Sequence, residues 1–406
     1  MQISFKIDNF ISSFFTHRPK SLLADDFTKY DAELNSRING KSVLVIGGAG
    51  TIGSSYIKAI LKFKIKKLVV VDINENGLTE LVRDLRSSLE YAVPSDFITY
   101  PVNFGDNVFE KIFKYHGPFE IVANFAAHKH VRSEKDVFSI EAMIENNVLR
   151  ARKLLDLLLK FPPEHFFCVS TDKAANPVNI MGASKKLMEE LIMSYSDRLP
   201  IKTARFANVA FSNGSLPLGF LERMSKLQPW SCPLGIRRFF VSPQESGELC
   251  LIASIMGESG DIFFPKLDEN RDMIPFDQIA IDLLETMGFT PDICQTEDEA
   301  KHKSLLINDS STTYPIYFFN SDTSGEKSFE EFYTEKEILD NDSFINLGVV
   351  KNSNKMDIAE IDSIFSQLRT LFDSGNITKS AIVAILKVYL PNFEHIETGK
   401  GLDSKM

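Results

Sequence analysis

Residues 170 to 173 read STDK, which sets the carboxyl of Asp172 directly beside the amine of Lys173. An adjacent acid and amine can supply both a proton donor and a proton acceptor to a substrate held against them. A little further on, NIMGASKK (residues 179 to 186) carries Met181 and Lys185 at the two ends of a short frame. The thioether of Met181 has no proton to give or take. Proton chemistry at this place therefore falls to Thr171, Asp172 and Lys173, with Lys185 as a second amine nearby.

The elements that must position these residues are legible as apolar runs. SVLVIGGAG, KLVVVD, FITYPVNF, FEIVANFAA, HFFCVSTD and IKTARFANVAF alternate with helix-patterned stretches such as NVLRARKLLDLLLKF and ASKKLMEELIMSYS. Strands that are apolar throughout and alternate with helices predict a parallel sheet covered on both faces. The expected fold is α/β: a Rossmann-like doubly wound parallel sheet over residues 41–210. Residues 211–350, punctuated by Pro217, Pro229, Pro233 and Pro243, are expected to form a smaller α/β substrate lobe.

Residues 351–406 form a terminal helical extension, with Ile358, Ile361, Phe365, Leu368 and Phe372 on one helical face and Gly375 as a stop. It serves subunit contact or packs on the body, and both readings stand. Residues 1–40 are an N-terminal arm whose Phe10, Phe14 and Phe15 pack on its own or a neighbouring subunit, with an interfacial amphipathic helix as the alternative.

GGAGTIG places Gly47, Gly50 and Gly53 between a strand and a helix, with Thr51 and Ile52 opening that helix. The first glycine permits a tight turn, the second a close approach to a pyrophosphate, and the third close packing of helix on strand. Asp72, ending the next strand, would accept from the adenosine ribose hydroxyls and favours NAD. Asn74, Arg83 and Arg86 leave NADP open. Asn103 and Phe104 sit where an adenine would be bracketed, and Ala126 and Ala127 are small enough for a cofactor to lie against the fourth strand.

With 406 residues, 44% hydrophobic and 25% charged, the chain is of ordinary globular composition. A net charge of −10 argues against a nucleic-acid partner bound by phosphate neutralisation. Cys168, Cys232, Cys250 and Cys294 are scattered, which fits a reducing, cytoplasmic setting. His128 and His130 share a strand end, but no third ligand lies near them and no metal is expected. The apolar runs of the N-terminus are too short and interrupted for a membrane span.

GGAGTIGSS, FAAHKHV, STDKAANPVNIMGASKK, RFANVAFSNGS, RRFFVSPQESGE and SGEKSFEEF together resemble the extended short-chain dehydrogenase/reductases. More narrowly, residues 41 to 335 look like the soluble nucleotide-sugar 4,6-dehydratases acting on UDP-N-acetylglucosamine in bacterial surface-glycan pathways. In most short-chain dehydrogenases the first position of the frame is Tyr, and this subgroup tolerates Met there. FAAHKHV departs from the usual apolar residue at His128.

The resemblance implies a UDP-sugar substrate, a tightly held NAD regenerated in each turnover, and three steps. The C4 hydroxyl is oxidised, water is lost across C5 and C6, and hydride returns to C6. It assigns Asp172 as acid and Lys173 as base, and Lys185 to the nicotinamide ribose. Thr171 can hydrogen-bond O4, and Asp172 is expected to take the O4 proton before passing it to O6, with Met181 packing on the sugar. Lys129 and His130 border the sugar pocket, and Asn208 holds the sugar or its diphosphate. Ser212, Gly214 and Ser215 offer a phosphate-friendly loop, and Arg238 a planar fork for the diphosphate. Ser170 either orients the sugar or is buried at its strand end, and Glu326 either caps a helix or reaches the uridine ribose. A homo-oligomer is the expected assembly. The rivals are an epimerase on the same scaffold and a catalytically silent dinucleotide-binding subunit.

Overall fold

The apolar runs become strands in the computed structural model, which describes residues 6–129, 134–320, 331–351, 353 and 355–396. They are β1 (Ser42–Ile46), β2 (Lys67–Asp72), β3 (Asp96–Pro101), β4 (Ile121–Asn124), β5 (His165–Val169) and β6 (Ile201–Ala204). Further along come β7 (Asn208–Val209), β8 (Trp230–Pro233), β9 (Arg237–Val241), β10 (Ile262–Pro265) and β11 (Met273–Pro275). The last are β12 (Thr290–Cys294), β13 (Thr313–Phe319), β14 (Ile338–Asp340) and β15 (Leu347–Lys351).

The first six lie in the order β3-β2-β1-β4-β5-β6, all parallel. Every residue of β1, β5 and β6 is buried, as helices on both faces require. Strand succession reverses between β1 and β4, and a doubly wound sheet takes its ligand in the crevice at the carboxyl ends of such a pair. The same sheet continues beyond residue 210: β10 runs parallel to β6, then β15 and β14 close the edge antiparallel.

The rest of the segment builds two small sheets, β11-β9-β7 and β12-β13-β8, around a second core of Phe220, Trp230, Tyr314 and Leu283. The N-terminal arm belongs to that core. Phe10, Ile11 and Phe15 are buried in it, and the Phe15 ring stands edge-on to Phe240 at 4.8 Å. Arg18 fastens the arm, its Nε 2.9 Å from Glu245 Oε1 and its Nη1 3.3 Å from Asp272 Oδ1. The arm thus packs on its own chain.

The C-terminal helices Ile358–Asp373 and Lys379–Tyr389 bury Ile361, Ile364, Phe365, Leu368, Ile382 and Leu386 in the main core. Of the two readings of this hairpin, packing on the body is the one observed. No helix among the described residues is long and apolar enough to cross a membrane.

Candidate active site

The glycine loop leaves β1 with Gly47 at φ +77°, a conformation that suits a residue without a Cβ. A Cβ there would lie 2.5 Å from the backbone nitrogen of Ala126, and one on Gly53 would lie 2.2 Å from Gly47 O. Loop, β4 and the helix Thr51–Ile60 therefore meet backbone to backbone, with Gly50 at the helix N-cap. Asp72 Oδ2 accepts from Ala49 N and its Oδ1 from Asn74 N, both at 2.9 Å, which ties the loop to the end of β2. A carboxylate has further lone pairs for a ribose. This cradle fits a dinucleotide: side chains are excluded where a pyrophosphate approaches, a helix N-terminus faces it, and an acid stands beyond.

Other expected cofactor contacts have local duties. Asn74 Oδ1 caps the helix Glu75–Ser87 by accepting from Gly77 N at 2.9 Å. Asn103 Oδ1 closes a turn on Gly105 N at 2.9 Å. Phe104 packs its ring in the main core rather than at an open face, because the chain turns inward after β3.

A cavity of about 260 Å³ joins the cofactor side to the catalytic string. Ile52 and Ala127 line one part, Ser170, Thr171, Asp172, Lys173, Met181 and Lys185 another, and Asn208, Ser212, Gly214 and Ser215 the lobe side. Lys129 also lines it, and desolvation holds its ammonium below the ordinary range although the residue as a whole is exposed. Three lysines to one carboxylate among the charged lining residues make the space favourable to anions.

The STDK string sits at the carboxyl end of β5. Asp172 is 4% exposed, and its Oδ1 accepts from Thr171 Oγ1 at 2.7 Å, Lys173 N at 2.9 Å and Lys173 Nζ at 3.1 Å. The helix Ile180–Met193 starts beside it, capped by Asn179, whose Oδ1 accepts from Gly182 N at 2.7 Å. A Cβ on Gly182 would lie 2.8 Å from Lys173 O, so the glycine after Met181 lets helix and catalytic turn touch.

Met181 is 2% exposed and offers the cavity only apolar surface. Lys185 is buried, with Nζ 3.3 Å from Val169 O. Burial pulls its ammonium down to about 8, while Cys168 and Glu189 oppose the fall and Lys129 adds to it.

Ser170 Oγ donates to Glu189 Oε2 at 2.9 Å and is buried at its strand end, on the lining of the cavity. Glu189 continues into a buried network: Arg205 Nε donates to its Oε2 at 2.9 Å, and Arg205 Nη1 to Glu337 Oε2 at 2.9 Å. Burial alone would raise the Glu189 carboxyl, but Arg205 and Lys186 hold it well below the usual carboxylate range.

Sequence reasoning missed this network. Its one local signal is Glu189, an acid one helical turn beyond Lys185 and beside the apolar Leu187, Met188 and Leu191. Asn208 Nδ2 is buried without a partner among the described residues, as a group awaiting a ligand would be. Ser215 caps the helix Leu216–Ser225, and Thr51 Oγ1 accepts from Asn213 N at 3.0 Å, closing lobe onto glycine loop.

Arg238 does not line this cavity. It is buried on β9, its Nη1 donating to Arg237 O at 2.8 Å. His130 and Glu326 lie outside the described residues. No cluster of three or more His, Cys, Asp or Glu among the described residues can hold a metal ion.

A parallel sheet in this order, a glycine cradle at its switch point and a Met181–Lys185 frame beside it define an extended short-chain dehydrogenase/reductase. Residues 43–351 match the model of the family described as polysaccharide biosynthesis protein, and the chain belongs to that family.

The chain is 29% identical over 325 residues to a Methanocaldococcus jannaschii protein named as an uncharacterized membrane protein, covering 78% of this chain and 88% of that one. It is 26% identical to a UDP-N-acetylglucosamine 4,6-dehydratase (inverting) of Campylobacter jejuni, over 56% of this chain and 68% of that one. It is 28% identical to a UDP-glucose 4-epimerase of Rickettsia canadensis, over 56% and 66%. It spans only 47% and 56% of two relatives from Bacillus subtilis and Staphylococcus aureus that are named for polysaccharide and capsular polysaccharide biosynthesis. Among solved structures, Pen from Bacillus thuringiensis shares the fold at 20% identity with a TM-score of 0.63, over 82% of this chain and 98% of that one.

Proposed function

We propose that the chain is a nucleotide-sugar 4,6-dehydratase that converts UDP-N-acetylglucosamine to a 4-keto-6-deoxy product for surface-glycan synthesis. The observation that carries this reading is the Asp172–Lys173 contact at 3.1 Å on the wall of an anion-favouring cavity, beside a frame whose first residue is Met181. An epimerase has no use for an acid and a base placed together at a strand end. The similarity to a named dehydratase supports the same choice.

The residues that would hold the cofactor are the Gly47–Gly53 cradle, Asp72 and Lys185, and Asp72 favours NAD because a 2′-phosphate would be repelled there. A nicotinamide held there would supply an acceptor for the C4 hydride and a donor for its return to C6. Asp172 receives the O4 proton, directly or through Thr171, and the C4 carbonyl so formed makes the C5 proton acidic. Neutral Lys173 takes that proton while Asp172 hands its own to O6, which leaves as water. Lys173 then returns a proton to C5, and both groups end as they began. Met181 packs against the sugar and takes no part in proton transfer.

Incubation of purified protein with UDP-N-acetylglucosamine tests this by mass. A product lighter by one water is expected, whereas a product of unchanged mass is an epimer and overturns the proposal.

A further inference from the structure

The turn that joins Lys173 to the Met181 frame is held by residues remote in sequence. Asn176 Nδ2 donates to Glu331 Oε2 at 2.8 Å, and Ile180 N donates to Glu134 Oε2 at 2.9 Å. Two further bonds come from the C-terminal tail. Glu394 N donates to Pro177 O at 3.2 Å and Ile396 N to Val178 O at 3.0 Å. The tail reaches the turn already anchored, since Leu390 and Phe393 are buried in the main core at 5% and 2% exposure. All of it lies beyond residue 351, where the match to the family ends.

We infer that residues 393–396 are a positioning strap for the catalytic turn. Pro177 and Val178 precede the Asn179 cap, and the helix that Asn179 starts rests through Gly182 against the carbonyl of Lys173. Movement of Pro177 and Val178 is thereby passed to the backbone that aims Asp172 and Lys173. The turn belongs to none of the sheets, so the two tail bonds supply pairing that no strand ladder gives it. The strap touches neither cofactor nor sugar and acts only through the turn. Its effect on rate rests on the function proposed above, while its effect on the turn does not.

The test separates donor from side chain. Glu394→Pro/Ile396→Pro removes both N–H groups and leaves Phe393 in place. Glu394 and Ile396 are exposed, so Glu394→Ala/Ile396→Ala keeps the donors and serves as control. Hydrogen exchange on the full-length proteins should show amides of residues 171–182 exchanging about tenfold faster or more in the proline variant, and unchanged in the alanine variant.

With UDP-N-acetylglucosamine, kcat of the proline variant should fall at least about tenfold while KM moves much less, the mark of misplaced catalytic groups. Wild-type exchange in the proline variant, or an equal loss in both variants, overturns the strap. If the wild-type protein does not turn over this substrate, the proposed reaction fails and the exchange result alone decides the strap.

Discussion

The ammonium of Lys173 lies 3.1 Å from Oδ1 of Asp172, the residue immediately before it. That contact holds the two groups in one place, and the proposed elimination needs the amine without its proton and the acid with one. Lys173→Arg keeps a cation beside Asp172 yet cannot release a proton at any working pH. Its kcat should drop by roughly 10²–10⁴-fold with the melting temperature close to wild type. A variant with most of its activity would remove Lys173 as the base.

Asp172→Asn leaves an amide of similar shape that can neither accept the O4 proton nor return it to O6. Both the reduction of bound nicotinamide on mixing with substrate and the loss of water should vanish. Stopped-flow absorbance reads the first and product mass the second. Reduction that persists in the variant would mean that another group takes the O4 proton.

In the proposed mechanism Met181 contributes shape alone, so Met181→Leu should keep kcat within a few-fold, as a volume-conserving apolar exchange does. Steady-state rates check this. A loss comparable to that of Lys173→Arg would show that the thioether has a role that packing does not explain.

Arg205 is fully buried between Glu189 and Glu337. Arg205→Leu takes the guanidinium from both carboxylates, leaving Glu189 with Lys186 and Ser170 and Glu337 with the amide of Thr334, and should cost about 3–5 kcal/mol in denaturant unfolding. The pH sign comes from Glu189, whose carboxyl is depressed in the folded state. Its contribution is present above the unfolded value of about 4.3 and is lost as pH falls below it, so wild-type stability should decline in acid. In Arg205→Leu the carboxyl rises towards its unfolded value and that decline should flatten.

The parts that sequence displays well are those written in short range. β1, β2, β4 and β5 are largely apolar runs, and the glycine loop, Asp172, Lys173 and Lys185 lie beside them. The parts it hides are built from distant partners. β10, β14 and β15 are three to five residues long, and β10 and β15 join the large sheet through partners far away in the chain. Glu189 looks like a helix-surface acid until Arg205 arrives from β6 and Glu337 from beyond residue 330. Phe104 and Ser170 stand at strand ends, where local pattern does not tell an inward turn from an outward one. The arm gave away its phenylalanines but not Arg18, whose partners Glu245 and Asp272 come from two other elements.

Elimination by Lys173 and Asp172 has a signature that no epimerase shares. In deuterated water with UDP-N-acetylglucosamine, NMR of the product should show a 4-keto-6-deoxy sugar carrying solvent deuterium at C5. A product that keeps its C6 hydroxyl and its C5 hydrogen would contradict the assignment of these two residues as acid and base.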